Sequence, residues 1–212
     1  MELKILVVAL IGYLLGSSNL AYYLSKAKNV DLKANGTGNY GTSNAFVLLG
    51  AKLGVMVAVH DIGKAVLSVA LAKIIFSGVE YLPEIAGASC VLGHIFPFYI
   101  KFSGGKGFAP YLGAWVALNW QLGIILVVLV VLAIFITNYM VAGTMLTVLS
   151  LPIVYAVHQN WICMAIMLFV TLIIILKHIE NFVKIKNGTE FKVRDVIFKK
   201  KKEANADEDR AD

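Results

Sequence analysis

Charged residues are scarce in this chain. Asp, Glu, Lys and Arg make up 15% of its 212 residues, hydrophobic residues make up 59%, and the mean hydropathy is +0.78. A soluble domain of this length has roughly a quarter of its residues charged. The composition therefore excludes a soluble globular protein and predicts an all-α integral membrane protein, built as a multispanning helical bundle.

Charge is missing altogether from 107 to 176. Polar breaks at 119–121, 137–139 and 158–160 divide this run into apolar pieces. Some of these pieces are shorter than the roughly 20 residues with which a helix crosses a bilayer. The pattern predicts several short or tilted helices here and leaves their number open.

Three further spans are predicted upstream, at 3–24, 53–76 and 85–100. Seven transmembrane helices is the favoured total and five is the alternative. Lysines after the first span and basic residues near the C-terminus predict that the N-terminus lies outside and the C-terminus in the cytoplasm. Residues 1–198 should form the transmembrane domain, and 199–212 should be a charged, disordered tail. The net charge of +6 then reports topology and not nucleic-acid binding.

Cysteine is almost absent. Cys90 and Cys163 are the two cysteines, and both lie in apolar runs. Two isolated thiols indicate neither a disulfide framework nor a metal cluster. We therefore expect no metal site, and no other motif of the sequence indicates a cofactor.

The most polar stretch of the N-terminal half is 36–44, Gly-Thr-Gly-Asn-Tyr-Gly-Thr-Ser-Asn, directly before an apolar helix. Glycine permits close approach of the backbone, and Thr42, Ser43 and Asn44 are all acceptable N-cap residues. A glycine-rich approach to a helix N-terminus is typical of an anion site. The alternative is a polar loop that only caps a transmembrane helix.

A second polar segment surrounds Lys106. Gly104, Gly105 and Gly107 flank this lysine, so a flexible backbone with one positive charge could hold a phosphate. The spacing is not that of a Walker A loop. His94 lies upstream, at the inner end of a predicted span, where it could meet a ligand. The alternatives are an anchoring lysine beside a helix break and a core histidine.

The third polar segment contains His178 and Asn181. They lie three residues apart, so on a helix end they share one face and could contact the same ligand.

The second span contains a group of ionisable residues. The spacing predicts that Asp61 pairs with Lys64 at i,i+3 and that His60 pairs with Lys64 at i,i+4. Such groups at membrane depth are costly and usually functional, but an internally neutralised pair that fixes helix packing is the alternative.

Together these segments resemble the PlsY-type acyl-phosphate:glycerol-3-phosphate acyltransferases. The family's G-S-G-N-x-G-A-T-N corresponds to 36–44, its G-H-x-F-P with F-x-G-G-K-G to 93–107, and its H-x-E-N with a later G-T-E to 178–190. Its D-x-x-K matches Asp61 and Lys64. Three motifs in the same order cover the chain up to its charged tail.

The resemblance implies a membrane enzyme that performs the first step of bacterial phospholipid synthesis. It would move a fatty acyl group from acyl phosphate to the 1-hydroxyl of glycerol 3-phosphate, giving lysophosphatidic acid and phosphate. Its partners would be these two substrates and membrane lipid, without nucleic acid. We expect a monomer in the bacterial inner membrane, with its active site facing the cytoplasm.

The resemblance also assigns the site. The residues expected at the reacting centre are Lys106, His178 and Asn181. The residues expected to bind substrate are Gly36, Thr37, Gly38, Asn39, Gly41, Ser43, Asn44, Asp61, Lys64, His94, Gly104, Gly105 and Gly107.

Several polar positions of the family pattern are different here. An arginine is replaced at three of them, and the apolar or amide residues found at family polar positions are Val47, Asn138, Val141 and Ile179. Each lost charged hydrogen bond to a phosphate is worth about 1.5–3 kcal/mol. Either Lys52, Lys64 or Lys101 replaces the missing charge, or the protein is a divergent relative with another acceptor or without catalysis. A small membrane transporter is a further alternative, but the run from 107 to 176 lacks the polar lining expected of one.

Overall fold

The computed structural model describes residues 1–195. These residues form ten complete α-helices, one turn of 3₁₀ helix at Phe98–Ile100 and further helical residues at 193–195, with no β-strand among them, which confirms the all-α prediction. The helices are α1 Glu2–Ser17, α2 Leu20–Ala27, α3 Thr42–Leu49, α4 Ala51–Ile75, α5 Leu82–Ile95, α6 Phe108–Leu118, α7 Trp120–Thr137, α8 Met140–Val157, α9 Trp161–Lys177 and α10 Ile179–Lys186. The predicted tail at 199–212 lies outside the described residues.

Asparagine marks each predicted break in the uncharged run. Asn119 and Asn160 are N-caps, whose side chains accept hydrogen bonds from the amides of Leu122 at 3.1 Å and Cys163 at 3.2 Å. Asn138 ends α7 in the left-handed conformation, with φ of 65°. All three breaks are therefore helix boundaries. A side-chain oxygen can accept a hydrogen bond from an unpaired backbone N–H at a helix start, and a left-handed residue can end a helix, so both kinds of boundary form from local residues.

Two predicted boundaries differ from the structure. The first span is divided at Asn19, whose side chain caps α2 by accepting from the Tyr22 amide at 2.9 Å. The helix after the first polar segment is also divided, because Gly50 with φ of 93° separates α3 from α4. The N-cap of α3 is Gly41, and not one of the three residues after it.

Four helical segments are long and apolar enough to cross a membrane, or five if α9 and α10, which meet at a 42° bend, form one span. This test uses length and composition only, and it counts α1 with α2 as one segment. Helices α5 and α6 have 14 and 11 residues and are shorter than a full span. The multispanning helical class is confirmed, whereas the count of seven and the orientation stay predictions.

Glycines bring α1 and α5 into backbone contact. A Cβ atom at Gly16 would lie 2.0 Å from the Cys90 carbonyl oxygen, and one at Gly93 would lie 2.2 Å from that of Tyr13. Small residues at helix interfaces are a general device of membrane proteins, because lipid supplies no hydrophobic force between helices. Cys90 and Cys163 are both buried free thiols.

We predict that Gly16→Ala destabilises the protein by about 1–3 kcal/mol, because the added methyl group must separate the backbones of α1 and α5. Thermal unfolding of the detergent-solubilised protein measures this effect. Gly63→Ala is the matched control, since no atom lies within 4 Å of a Cβ at that helical position. Equal unfolding temperatures for the two variants would contradict the packing argument.

Candidate active site

One cavity of about 290 Å³ collects residues from all three polar segments. Its wall is formed by the loop before α3, the start of α6, the first turn of α8, the α9–α10 junction and residues 190–193. The predicted site residues that line it are Thr37, Asn39, Gly41, Ser43, His94, Lys106, Gly107, His178 and Asn181. Segments far apart in sequence thus meet at one place.

Two helices direct their N-termini into this cavity. Gly41 caps α3, and Gly107, with φ of 95°, caps α6. Within residues 1–195, the amides of Ser43 and Ala109 in the first turns donate to no protein acceptor. Free N–H groups and the positive ends of two helix dipoles favour an anion here.

Asn44 holds the glycine-rich loop together. It is fully buried, and its amide nitrogen donates to the carbonyls of Leu32 at 2.6 Å, Asn39 at 2.9 Å and Asn35 at 3.3 Å. Its oxygen accepts from the Thr37 amide at 2.7 Å. With all its polar groups used, Asn44 organises the loop and does not line the cavity.

The glycines of this loop have different roles. Gly36 has φ of 63°, and a Cβ there would lie 2.2 Å from the Asn44 side-chain oxygen, so only glycine fits. Gly38 has φ of 71°, and neither Gly36 nor Gly38 lines the cavity. The Gly41 amide donates to the Asn39 side chain at 2.9 Å, which fixes the start of α3.

Gly104 and Gly105 serve packing. Their amides donate to the carbonyls of Ile95 at 3.0 Å and His94 at 3.1 Å, at the end of α5. A Cβ at Gly105 would lie 2.1 Å from the Nε2 atom of His94. These two amides are therefore not available to a phosphate, in contrast to our expectation, and the glycines instead let the lysine loop lie against α5.

A buried ionic cluster lies behind the cavity. Lys64 Nζ lies 2.8 Å from the Asp61 carboxylate, donates to the Ser18 carbonyl at 2.7 Å, and lies 3.0 Å from His94 Nδ1. The predicted Asp61–Lys64 pair is confirmed. His60 contacts Asp61 at 3.4 Å and the Ser18 hydroxyl at 3.1 Å, so its predicted pairing with Lys64 is wrong. Helix α5 brings His94 to Lys64 instead, and neither Asp61 nor Lys64 lines the cavity.

Lys106 begins a chain of three side chains. Its ammonium donates to the Asn181 oxygen at 2.5 Å, and the Asn181 amide donates to Glu190 at 2.7 Å. Burial lowers the pKa of Lys106, although Glu180 and Glu190 oppose this shift. Glu190 also lines the cavity and was missed as a site residue, although it lies in the third motif.

His178 joins α9 to α10 and is buried. Its Nδ1 lies 2.8 Å from the Ile174 carbonyl oxygen, which can only accept, so Nδ1 carries the proton. Nε2 is then an acceptor in the neutral ring. The histidine can therefore take a proton from a ligand in the cavity.

The rest of the cavity wall is mostly apolar and was not predicted. Its hydrophobic members include Phe46, Val47, Phe108, Met140, Val141 and Phe191. Val47 and Val141 are two of the positions where the sequence departs from the family pattern. Apolar residues in a membrane protein carry no signal that separates a cavity wall from a lipid-facing surface.

None of the three lysines expected to replace the missing charge lines the cavity. Lys52 and Lys101 are exposed, and Lys64 belongs to the ionic cluster. Lys192 does line it. The structure thus offers a different cation from those that sequence reasoning selected.

Helices long enough to cross a membrane, together with a cavity at two helix N-termini, define the class of the protein as an integral membrane protein with a cavity suited to an anion. The model of the glycerol-3-phosphate acyltransferase family matches residues 6–188, and the chain belongs to that family.

Relatives and solved structures agree with this assignment. A glycerol-3-phosphate acyltransferase of Endomicrobium trichonymphae is 36% identical over 203 residues, covering 95% of this chain and all of the relative. The crystal structure of PlsY, an integral membrane glycerol 3-phosphate acyltransferase, in its glycerol 3-phosphate form superposes with a TM-score of 0.82 at 27% identity, covering 89% of this chain and 94% of that one. Its lysophosphatidic acid form gives a TM-score of 0.80 at 26% identity, covering 92% and 98%.

We predict that Asn44→Asp destabilises the protein by about 2–4 kcal/mol, because a carboxylate cannot donate to the three carbonyls that the amide now satisfies. Denaturation in detergent measures the loss. Asn29→Asp makes the same chemical change at an exposed residue, and we expect it to alter stability by less than about 0.5 kcal/mol. A tolerated Asn44→Asp variant would show that the loop does not depend on this amide.

Proposed function

We propose that this protein transfers a fatty acyl group from acyl phosphate to the 1-hydroxyl of glycerol 3-phosphate, giving lysophosphatidic acid and phosphate. The observation that carries the proposal is the cavity itself. Two helix N-termini and Lys106 provide an anion site beside an apolar wall, in a chain of the glycerol-3-phosphate acyltransferase family. The glycerol 3-phosphate and lysophosphatidic acid forms of the similar structure support the acceptor and the product.

The chemistry needs few catalytic groups because acyl phosphate is already an activated mixed anhydride. The hydroxyl oxygen of the acceptor attacks the acyl carbon, the bond from that carbon to the phosphate oxygen breaks, and phosphate leaves with the electron pair. Catalysis then consists of aligning the reactants and stabilising the negative charge. No covalent enzyme intermediate is required.

Lys106 and the N-terminus of α6 are placed to hold the leaving phosphate, because both border the same part of the cavity. Asn181 positions Lys106 through the 2.5 Å hydrogen bond. The hydroxyl proton can pass to the departing phosphate or to Nε2 of His178, the free acceptor of that ring. Thr37, Asn39, Gly41 and Ser43 would bind substrate in the adjoining loop, which contacts the lysine loop through the hydrogen bond from the Tyr40 amide to the Gly104 carbonyl at 3.3 Å.

The apolar wall suits the acyl chain. Phe46, Val47, Phe108 and Met140 line the cavity, where their apolar side chains can contact methylene groups. Each buried CH₂ contributes roughly 0.8 kcal/mol to binding. We infer that the chain of the donor extends along this wall toward the bilayer.

The position of the cavity supports seven transmembrane helices. Helices α4 and α5 leave the cavity side and return to it, and the pairs α6–α7 and α8–α9 do the same. With α1 and α2 as one broken span, the total is seven, and α5 and α6 cross although they are short. The positive-inside rule then favours a cavity at the cytoplasmic face and an N-terminus outside. We propose a monomeric enzyme of the bacterial inner membrane, whose domain extends to residue 198.

Release of inorganic phosphate by the purified protein tests the function. The donor is palmitoyl phosphate, given with and without glycerol 3-phosphate, and the lipid product is identified by mass. We expect phosphate release that depends on the acceptor and yields lysophosphatidic acid.

We expect Lys106→Met to lower the rate by about 10²–10³-fold, since it removes a charge that stabilises the leaving group. Release without acceptor dependence would indicate another acceptor, and no turnover would overturn the proposal.

The pH dependence of kcat/KM provides a second prediction. Because burial lowers the pKa of Lys106, its ammonium loses its proton at a lower pH than an exposed lysine does. Activity should therefore fall on the alkaline side in a range below the usual lysine pKa. Lys106→Arg, whose charge persists above pH 12, should move this decline to higher pH if it keeps activity. If an active Lys106→Arg variant shows the same alkaline decline as the wild type, the decline is due to the titration of another group. The rate of spontaneous donor hydrolysis is measured at each pH and subtracted.

A further inference from the structure

Residues 189–194 run along the cavity between α10 and the end of α7, and we name them the C-terminal strap. At its first end, the amide of Thr189 donates to the Lys184 carbonyl at 2.8 Å. At its second end, the amide of Val193 donates to the Asn138 carbonyl at 3.0 Å. The strap is therefore held at both ends by hydrogen bonds to the helical bundle.

Side chains strengthen both anchors. Glu190 accepts from Asn181 at 2.7 Å, which ties the strap to the Lys106 chain. Asn138, in its left-handed conformation, accepts from the Arg194 amide at 2.8 Å. The Arg194 guanidinium donates to the Phe135 carbonyl at 3.0 Å and lies 5.0 Å from the centre of that ring. These contacts fix the course of the residues between the anchors.

The strap carries Lys192 to the cavity. This side chain is exposed, and within residues 1–195 its ammonium has no carboxylate within 4 Å and no hydrogen-bond partner. Lys106 differs, since it is half-buried and bound to Asn181. The described wall of the cavity thus contains one half-buried lysine, which is bound to Asn181, and one exposed lysine without such a partner.

The proposed reaction brings two phosphates into this cavity, one on each substrate. The donor has a long apolar chain, which the wall at Phe46 and Phe108 would hold beside the α6 N-terminus and Lys106. Glycerol 3-phosphate is small and water-soluble, so with the cavity at the cytoplasmic face, as proposed above, it enters from water and meets the exposed Lys192. A second dianionic group near the first also requires an additional positive charge.

We propose that Lys192 binds the phosphate of the acceptor and that the C-terminal strap is the acceptor-binding element of this enzyme. The inference rests on the proposed function, because it assigns a residue to one of its two substrates. Lys192 sets acceptor affinity, and it takes no part in the chemical step.

Steady-state kinetics of Lys192→Gln tests the proposal. The KM for glycerol 3-phosphate should rise roughly tenfold, the loss expected for one charged hydrogen bond at an exposed site, while kcat changes little. The KM for palmitoyl phosphate should stay the same. Lys192→Arg should restore most of the acceptor affinity, and Lys186→Gln, the same charge change on the exposed surface of α10, should leave all parameters unchanged.

Asn138→Gly tests the strap itself. Glycine keeps the left-handed conformation but removes the side-chain acceptor for the Arg194 amide. We expect a rise in the KM for glycerol 3-phosphate that is smaller than that of Lys192→Gln. The double variant should be no worse than Lys192→Gln alone, because both changes act through the same contact.

Three outcomes would overturn the inference: an unchanged acceptor KM in Lys192→Gln, an increase confined to the donor KM, or an equal effect of Lys186→Gln. Calorimetric measurement of glycerol 3-phosphate binding to the purified protein tests the role of Lys192 independently of whether the protein catalyses acyl transfer. If the wild-type protein binds glycerol 3-phosphate and Lys192→Gln binds it more weakly, the assignment of Lys192 stands even where transfer from acyl phosphate fails. If the two proteins bind it equally, the assignment falls.

Discussion

The structure depends on one buried ion pair, that between Asp61 and Lys64. Their side chains are 1% and 5% exposed and lie 2.8 Å apart. Removing two charges from water is costly unless both keep polar partners. Here the C-cap of α1 provides the Ser18 carbonyl, α3 the Thr42 hydroxyl and α5 the His94 ring. The neutralised cluster thus joins four helices, and His94 also belongs to the cavity wall, so the ion pair sets where the cavity forms.

Glycine determines how closely the segments of the site approach. Gly105 lies against His94 without room for a Cβ atom, and Gly36 lies against Asn44 in the same way. The lysine loop is therefore fixed by His94, which also lines the cavity, and the loop before α3 is fixed by Asn44, which does not. The free amides of Ser43 and Ala109 need such support, because an amide can be oriented only by fixing the chain that contains it.

Backbone dipoles provide much of the electrostatics of this cavity. Two helix N-termini face it, while among the described residues its wall contains the lysines 106 and 192 and no arginine. A helix terminus contributes roughly half a charge and keeps it at every pH. This arrangement explains how a cavity with few cationic side chains can still suit phosphate. Glu190 limits the local positive charge and holds Asn181, which in turn holds Lys106.

The sequence by itself determined the membrane class, the helix boundaries at Asn119, Asn138 and Asn160, and the three polar segments that meet at the cavity. These features depend on composition and on local capping chemistry, which neighbouring residues decide. Only the tertiary structure decided which polar groups have no hydrogen-bond partner within the protein and can therefore contact a ligand. Asn44, Gly104 and Gly105 looked like ligands in sequence, but distant carbonyls occupy their amides. The pairing of Lys64 with His94 and the approach of Lys192 to the cavity join residues from separate segments, and no local pattern encodes such contacts.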